Sequence, residues 1–94
     1  MSENFRMPSD ATTTHCYKLA ITEDRPIMLD YWTASLEKKV LIGVRDNQEK
    51  LLVKSEEEYT SPISKIFKVE GDYIIMTENS IYLVSADIPT KKIS

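Results

Sequence analysis

The chain has 94 residues, which is enough for one domain with one modest hydrophobic core. Twelve Lys and Arg against fifteen Asp and Glu give a net charge of −3, a balance that disfavours broad binding to a phosphate backbone. The single cysteine excludes an intrachain disulfide and a zinc site built on thiolates, and no apolar run approaches the ~18 residues of a membrane helix.

Composition favours strands over helices. Ten Ile, five Val and eight Thr are branched at Cβ, and such branching restricts rotamers in a helix but suits a pleated strand. The N-terminal residues lack the charged-then-apolar pattern of a secretory signal. We therefore expect a mostly β protein that is cytoplasmic or nuclear and not secreted.

Both ends of the chain are polar, which is typical of frayed termini. We predict a flexible N-terminal tail over residues 1–11, a single β domain over residues 12–88 and a flexible C-terminal tail over residues 89–94. The alternative for the first tail is a docking arm in which Phe5 inserts into a partner.

Residues 13–21 alternate between two kinds of side chain, which predicts a β-strand. One face of this strand would carry His15, Tyr17, Leu19 and Ile21. Residues 23–26 then predict a turn, because Pro26 suits the first position of a following strand, where its missing N–H does least harm.

A second strand is predicted over residues 27–32. One face would carry Ile27, Leu29 and Tyr31, and the other Met28, Asp30 and Trp32. Because Met28 and Trp32 make the second face apolar as well, we expect either a closed barrel or a partner that covers it.

Residues 33–39 are compatible with two structures. Trp32, Leu36 and Val40 are spaced four residues apart, as on one face of a short helix. Residues 36–39 can equally form the turn of a hairpin between two strands. The β-branched runs on both sides favour the hairpin.

A hairpin is also predicted where residues 40–45 and 50–54 flank a four-residue polar loop. Gly43, inside the first of these strands, indicates a bulge or a close approach of another part of the backbone.

Residues 66–69, 72–77 and 80–84 are apolar runs separated by short polar turns, which predict an antiparallel meander. Together the patterns predict an all-β fold: a small antiparallel barrel or sandwich of six to seven short strands, with at most one short helix near residues 33–39. The predicted core comprises Tyr17, Leu19, Ile21, Ile27, Leu29, Tyr31, Leu41, Val44, Leu52, Ile66, Ile74, Met76, Ile81 and Leu83.

Residues suited to catalysis are sparse. His15 is the only histidine and adjoins the only cysteine, Cys16. On one strand these neighbours would point to opposite faces and could not form a Cys–His pair locally. The chain also lacks a glycine-rich phosphate loop and the spacing of a calcium loop. We therefore predict a non-enzymatic protein with no catalytic residue, no metal ligand and no cofactor.

The favoured functional hypothesis is a protein-interaction or structural module that binds a protein partner or a second copy of itself. Its predicted contacts are Met28 and Trp32 on the second apolar face. Tyr59 and Pro62 mark a predicted strand edge that could recruit a strand from the partner.

The alternative hypothesis is single-stranded nucleic-acid binding by a small β-barrel, since such barrels stack bases on aromatic side chains beside Lys and Arg. The predicted residues are Trp32, Lys38, Lys39 and Arg45. The negative net charge makes nucleic acid the less favoured partner, and no contact with a membrane is predicted.

Five runs of the chain resemble small uncharacterised proteins of large DNA viruses, notably those that infect algae and amoebae. The runs are RPIMLDYW, LEKKVLIGVR, EKLLVK, EEYTSPISKIF and YIIMTENSIYLV, within residues 17–88. This resemblance implies a virus-encoded accessory, virion or host-interaction protein in the host cell or the virion. It implies no functional residue and no mechanism.

Overall fold

A computed structural model describes residues 6–93 and arranges them as two helices, a four-stranded sheet and a three-stranded sheet. In chain order the elements are α1 (Asp10–Glu23), β1 (Ile27–Met28), α2 (Trp32–Leu36), β2 (Leu41–Val44), β3 (Lys50–Val53), β4 (Ile63–Val69), β5 (Asp72–Thr77), β6 (Ile81–Ser85) and β7 (Thr90–Lys92). Residues 1–5 of the predicted tail, including the docking arm at Phe5, and residue 94 lie outside the described residues.

The strand order is β1-β6-β5-β4 in one sheet and β3-β2-β7 in the other. The predicted meander is confirmed in β4, β5 and β6, where Ile74 lies opposite Leu83, and the predicted hairpin is confirmed in β2 and β3, where Ile42 lies opposite Leu52. However, β1 pairs with β6 and β7 pairs with β2 in parallel. Within residues 6–93 both sheets are therefore mixed and do not close, so the barrel and the purely antiparallel arrangement are wrong.

The four-stranded sheet is apolar on both faces, because alternation along β5 and β6 sends successive side chains to two different clusters. Between this sheet and the helices lie Cys16, Trp32, Ile74, Met76, Ile81 and Leu83. Between the two sheets lie Tyr31, Val40, Ile42, Leu52, Ile75, Val84 and Ile88. The chain thus covers its own second apolar face with α1, a layer that the sequence analysis did not expect.

Residues 13–21, predicted as a strand, belong to α1 instead. The helix begins after Ser9, whose Oγ accepts a hydrogen bond from the Thr12 N–H at 3.1 Å. It ends at Asp24, which has a left-handed conformation with φ 55° and donates its N–H to the carbonyl of Ala20. These caps satisfy backbone groups that a helix leaves open at its ends, and they outweigh the β preference of the threonines.

Burial along α1 follows helical spacing. Thr12 and Cys16 are buried against the sheet, whereas Tyr17 is 58% exposed and Ile21 is 80% exposed. Leu29, which lies in the connection after β1, is 59% exposed. The core positions predicted for Tyr17, Ile21 and Leu29 are therefore wrong. Tyr17 and Ile21 lie in a segment whose period is that of a helix, and Leu29 lies beyond the end of the two-residue strand β1.

The other residues of the predicted core are buried or half-buried. The confirmed buried residues are Tyr31, Leu52, Ile74, Met76, Ile81 and Leu83. The half-buried ones are Leu19, Ile27, Leu41, Val44 and Ile66. Buried residues absent from the prediction include Cys16, Trp32, Val40, Ile42, Leu51, Ile75, Val84 and Ile88.

The helical alternative for residues 33–39 is correct and the favoured hairpin is wrong, because α2 begins at Trp32. The strand predicted over residues 27–32 is accordingly cut to the two residues of β1. Ser35 in α2 is buried, and its Oγ accepts a hydrogen bond from the Ser85 N–H at 2.9 Å, which fastens the helix to the end of β6.

Parts of both predicted tails belong to elements of secondary structure. Residues 89–94 contain β7, which is attached to β2: the Ile42 N–H donates to the carbonyl of Pro89 at 2.9 Å, and the Ile93 N–H donates back to β2 at 2.7 Å. At the other end, Asp10 already belongs to α1. These backbone bonds correct the boundaries predicted for the β domain.

Candidate functional site

An apolar groove lies between the segment before α1, α1 itself and the connection from β1 to α2. Its lining residues are Met7, Pro8, Thr13, Cys16, Tyr17, Ile27, Leu29, Trp32, Thr33 and Leu83. None of these ten side chains is an acid, a lysine, an arginine or a histidine, and the groove encloses about 380 Å³. Binding pockets are mostly apolar and occupy about 300–1,000 Å³. The groove is therefore suited to an apolar group.

Large apolar side chains at the rim of the apolar groove are in contact with solvent. Met7 is 70% exposed, and Tyr17 and Leu29 are also more than half exposed. Ile21 extends this surface because it lies one helical turn beyond Tyr17 on α1. Within residues 6–93, the remaining large hydrophobic residue of comparable exposure is Tyr59. Exposed apolar side chains are thus concentrated on one side of the protein, as at an interaction site.

The floor of the apolar groove includes the one cysteine of the chain. Cys16 is 1% exposed, and burial raises the pKa of its thiol. The thiol therefore stays protonated at neutral pH, and a protonated thiol is a poor nucleophile. His15 is exposed and lies on another side of α1, where its ring packs against Phe67 with 5.5 Å between centroids. Cys16 accordingly contributes an apolar surface to the site.

The N-terminal wall of the apolar groove is fixed by a buried carboxylate. Asp72, at the start of β5, is fully buried, and its Oδ1 lies 2.8 Å from Nη2 of Arg6. Its Oδ2 accepts hydrogen bonds from the Ser9 N–H at 3.1 Å and from Thr12 Oγ1 at 2.9 Å. The carboxylate thus joins the segment before α1 and the first turn of α1 to the central sheet, and its charge is compensated by Arg6 and by donors.

Arg6 also contacts the floor of the groove. Its guanidinium carbon lies 5.1 Å from the centroid of the Trp32 ring, within the range of a cation–π contact. The indole N–H of Trp32 donates to the carbonyl of Arg6 at 2.8 Å, and Nη2 of Arg6 donates to the carbonyl of Gly71 at 3.2 Å. Arg6 therefore determines where the next residues, Met7 and Pro8, line the groove.

The structure changes the role of the predicted partner contacts Met28 and Trp32. Met28 is half-buried in β1, and Trp32 is 5% exposed in the cluster beneath α1. Trp32 lines the apolar groove but is largely buried, so the solvent-exposed second face on which its predicted partner contact depended is not present, and that contact stays a prediction. The physical reason is that α1 covers the face on which the sequence analysis placed both residues.

The strand edge predicted near Tyr59 and Pro62 is already paired. Tyr59 forms an antiparallel bridge with Val53 of β3, and the Thr60 N–H donates to the carbonyl of Leu52 at 2.9 Å. This segment is therefore not the unpaired edge that the sequence predicted. The side chains of Tyr59 and Pro62 are both exposed.

A second groove, on the outer face of the three-stranded sheet, contains two of the residues predicted to bind nucleic acid. We call it the charged groove; it encloses about 640 Å³ and is lined by Lys39, Leu41, Arg45, Leu51, Val53, Lys54, Ser55, Glu56, Tyr59, Lys92 and Ile93. Lys39 and Arg45 thus come together beside Tyr59. Lys38 is not part of this lining, and Trp32 is buried elsewhere, so base stacking on Trp32 is wrong as a prediction.

Carboxylates offset the positive charge of the charged groove. The ion pairs are Lys39–Glu37 at 3.3 Å, Arg45–Glu49 at 3.6 Å, Lys54–Glu58 at 3.8 Å and Lys92–Asp46 at 3.6 Å. Glu56 adds a further negative charge to the lining. A nucleic acid gains affinity by replacing counterions on its phosphates with Lys and Arg, and here those cations already have anionic neighbours. The charged groove is therefore weakly suited to a polyanion.

Most residues of the apolar groove were missed by the sequence analysis, and one signal could have found them. Thr12, Cys16 and Ala20 recur every four residues, and Ser9 precedes them at the position of a helix N-cap. This spacing indicates a helix with Tyr17 outside the buried stripe. No comparable local signal brings the segment before α1 to the groove, because Asp72 holds that segment from a distant part of the sequence.

Comparison of this chain with protein-family models, with curated proteins and with solved structures gives no match. In the described part of the chain, no three His, Cys, Asp or Glu side chains come together in a way that could hold a metal ion. Neither of the two helices there is long and apolar enough to cross a membrane. The candidate site is therefore defined by its geometry alone.

Proposed function

We propose that this protein is a non-enzymatic interaction module that binds a protein surface through the apolar groove and its rim. The observation that carries this proposal is the gathering of four exposed apolar residues on one side, namely Met7, Tyr17, Ile21 and Leu29. A small molecule would occupy the groove but leave Ile21 in water, since Ile21 lies outside the lining. A protein surface would cover the groove and Ile21 together, and it would remove more apolar area from water.

The chemistry of the lining selects an apolar partner surface. A charged group placed in the groove would lose its hydration without gaining an ionic partner there. Tyr17 offers a large, stiff contact, and Met7 offers a flexible one that can adapt its shape. The partner is therefore expected to present aliphatic or aromatic side chains to these two residues.

The partner that we propose first is a second copy of the chain. In a two-fold contact the same patch lies on both sides of the interface, so one apolar groove side would cover the other. Each chain has a net charge of −3. A contact through the uncharged lining would not place the acidic side chains of two copies against each other. The resemblance of residues 17–88 to proteins of large DNA viruses suggests a setting for such a module, as an accessory or virion protein.

Sedimentation equilibrium over a range of protein concentrations tests this proposal. We expect the unmodified chain to associate and the variants Tyr17→Ser and Leu29→Ser to shift the equilibrium toward the monomer. Tyr59→Ser is the matched control, because it removes a similarly exposed tyrosine that does not line the groove. A chain that is monomeric at every concentration contradicts self-association. If it also retains no protein from its native extract in a Tyr17-dependent manner, the whole proposal is wrong.

The second candidate function is the binding of single-stranded nucleic acid in the charged groove. It is favoured by one observation, the position of exposed Tyr59 among Lys39, Arg45 and Lys54. The anisotropy of a labelled oligonucleotide at low and high salt tests it. Because the cations have carboxylate neighbours, we expect no binding. Salt-sensitive binding that is lost in Tyr59→Ser but kept in Tyr17→Ser would favour nucleic acid instead.

A further inference from the structure

We infer that residues 6–9, here called the strap, form a detachable wall of the apolar groove and that the ion pair between Arg6 and Asp72 holds this wall closed. Met7 and Pro8, in the middle of the strap, line the groove. Arg6 and Ser9, at its two ends, both contact the carboxylate of Asp72. A single buried group therefore fixes both ends of the wall.

The strap has few other attachments. Within residues 6–93, no hydrogen bond joins Met7 or Pro8 to another residue, and the Met7 side chain is 70% exposed. The carbonyl of Arg6 accepts the indole N–H of Trp32, and Nη2 of Arg6 donates to the carbonyl of Gly71; both bonds lie at the same end as the ion pair. When Arg6 separates from Asp72, the middle of the strap has no hydrogen bond of its own to keep it in place.

Opening of the strap would leave the sheet intact. Asp72 belongs to β5, which is paired with β4 and β6 along its length, and it is fully buried. The side chain of Arg6, in contrast, is 43% exposed, so water can compete for its guanidinium. Segments with few buried contacts open locally at a lower free energy than the whole domain. The strap meets this description, whereas β5 does not.

Opening would expose the floor of the groove, because Arg6 lies over the ring of Trp32 and the strap borders Cys16. It would also remove Met7 and Pro8 from the binding surface. A partner seated in the groove would therefore hold the strap closed, and a closed strap would strengthen binding, since linked equilibria act in both directions. This consequence for binding rests on the proposed function, whereas the opening itself does not.

The test is the rate at which iodoacetamide modifies Cys16 in the full, ligand-free chain. Cys16 and Trp32 are the only cysteine and tryptophan of the sequence, so thiol modification and indole fluorescence both report on this site. In Arg6→Gln we expect modification to be faster by about tenfold or more, because the buried carboxylate of Asp72 loses the cation that holds the strap against it. Tryptophan emission should move to longer wavelength. The matched control, Arg45→Gln, breaks an exposed ion pair elsewhere and should change neither signal.

Two results would overturn the inference. One is an unchanged modification rate in Arg6→Gln. The other is a faster rate that increases with urea as steeply as global unfolding does, because Arg6 would then stabilise the whole domain and not the strap. Arg6→Lys keeps the charge and should retain part of the protection, and it replaces Arg6→Gln if that variant fails to fold. Fast modification of Arg6→Gln, in a protein whose unmodified chain neither associates nor retains a protein partner, would contradict only the proposed function. Association of the unmodified chain with an unchanged rate in Arg6→Gln would contradict only the strap.

Discussion

Ser35 and Ser85 are joined by a buried hydrogen bond although fifty residues separate them, the Ser85 N–H donating to Ser35 Oγ at 2.9 Å. The Ser35 hydroxyl donates in turn to the carbonyl of Trp32. Ser35→Ala leaves the Ser85 N–H without a partner in the core, which should lower the free energy of unfolding by about 1–3 kcal/mol. Urea denaturation measures this loss. Thr33→Ala, an exposed change in the same helix, is the control, and an equal loss in both variants would contradict a role for the hydroxyl.

The pairing of Arg6 with Asp72 should appear as an energetic coupling between the two side chains. Asp72→Asn removes the charge that Arg6 compensates, and Arg6→Gln leaves a buried carboxylate without its cation. Because Arg6 is partly exposed, we expect each change to cost about 1–3 kcal/mol, below the range of fully buried pairs. The double variant should be more stable than the sum of the two losses predicts. Strict additivity in urea denaturation would show that the pair contributes no coupling.

The two glycines should respond differently to substitution by alanine. A Cβ at Gly43 would lie 2.7 Å from Cδ1 of Ile93 and 3.1 Å from Cγ2 of Val53, so Ile93 must move. Overpacking of a rigid core costs about 1–3 kcal/mol, and we expect a loss at the low end of that range because Cδ1 is the mobile tip of a half-buried side chain. A Cβ at Gly71 meets only Nη2 of Arg6, at 3.8 Å, and Gly71 has no positive φ. We expect Gly71→Ala to be tolerated, and the double variant Gly43→Ala/Ile93→Ala to be relieved of the clash. Equal stability of the two single variants would contradict this contact.

Alkaline pH should destabilise the fold through Tyr31. Burial raises the pKa of Tyr31 from its ordinary value of 10.0 to about 12, and the charges of Glu58, Tyr82 and Asp30 act in the same direction. Between pH 10 and pH 12 the unfolded chain therefore loses a proton that the folded chain retains. The stability from the protonated phenol is complete below pH 10 and falls as the pH rises toward 12.

The variant Tyr31→Phe tests this assignment, because it keeps the buried ring and removes the hydroxyl that ionises. Urea denaturation at several pH values should show a weaker decline above pH 10 for Tyr31→Phe than for the unmodified chain. The decline should not vanish, since burial also raises the pKa of Tyr82 and of Cys16. The control is Tyr17→Phe, the same change at an exposed position. Parallel pH curves for the chain and Tyr31→Phe would show that another group is responsible.

The strands could be predicted from sequence because their signals are local. In β5 the adjacent residues Ile74 and Ile75 are both buried, and short polar turns bound the run on each side. Such a pattern indicates a strand covered on both faces whatever lies beyond it. The hairpin of β2 and β3 is likewise set by the short polar loop over residues 45–49, in which Gln48 has a positive φ of 74°.

The first segment and the candidate site could not be predicted in the same way. Residues 13–21 are rich in β-branched side chains, and their alternation suits a strand, but the caps at Ser9 and Asp24 and the burial of Cys16 determine a helix. The apolar groove then depends on contacts between distant residues, above all those of Asp72 with the strap. Local propensity contains no information about such contacts, so the alternation of residues 27–32 gives no sign that α1 covers the face of Trp32.

The parallel pairing of β1 with β6 constrains the order in which this chain can fold during synthesis. Ile27 aligns with Ile81, so β1 cannot take its place until most of the polypeptide has left the ribosome. Until then Trp32 and Cys16 have no sheet to pack against, and the nascent N-terminal third presents an apolar surface to solvent or to a chaperone. A pairing between strands so far apart in the sequence predicts slow folding for a chain of this size.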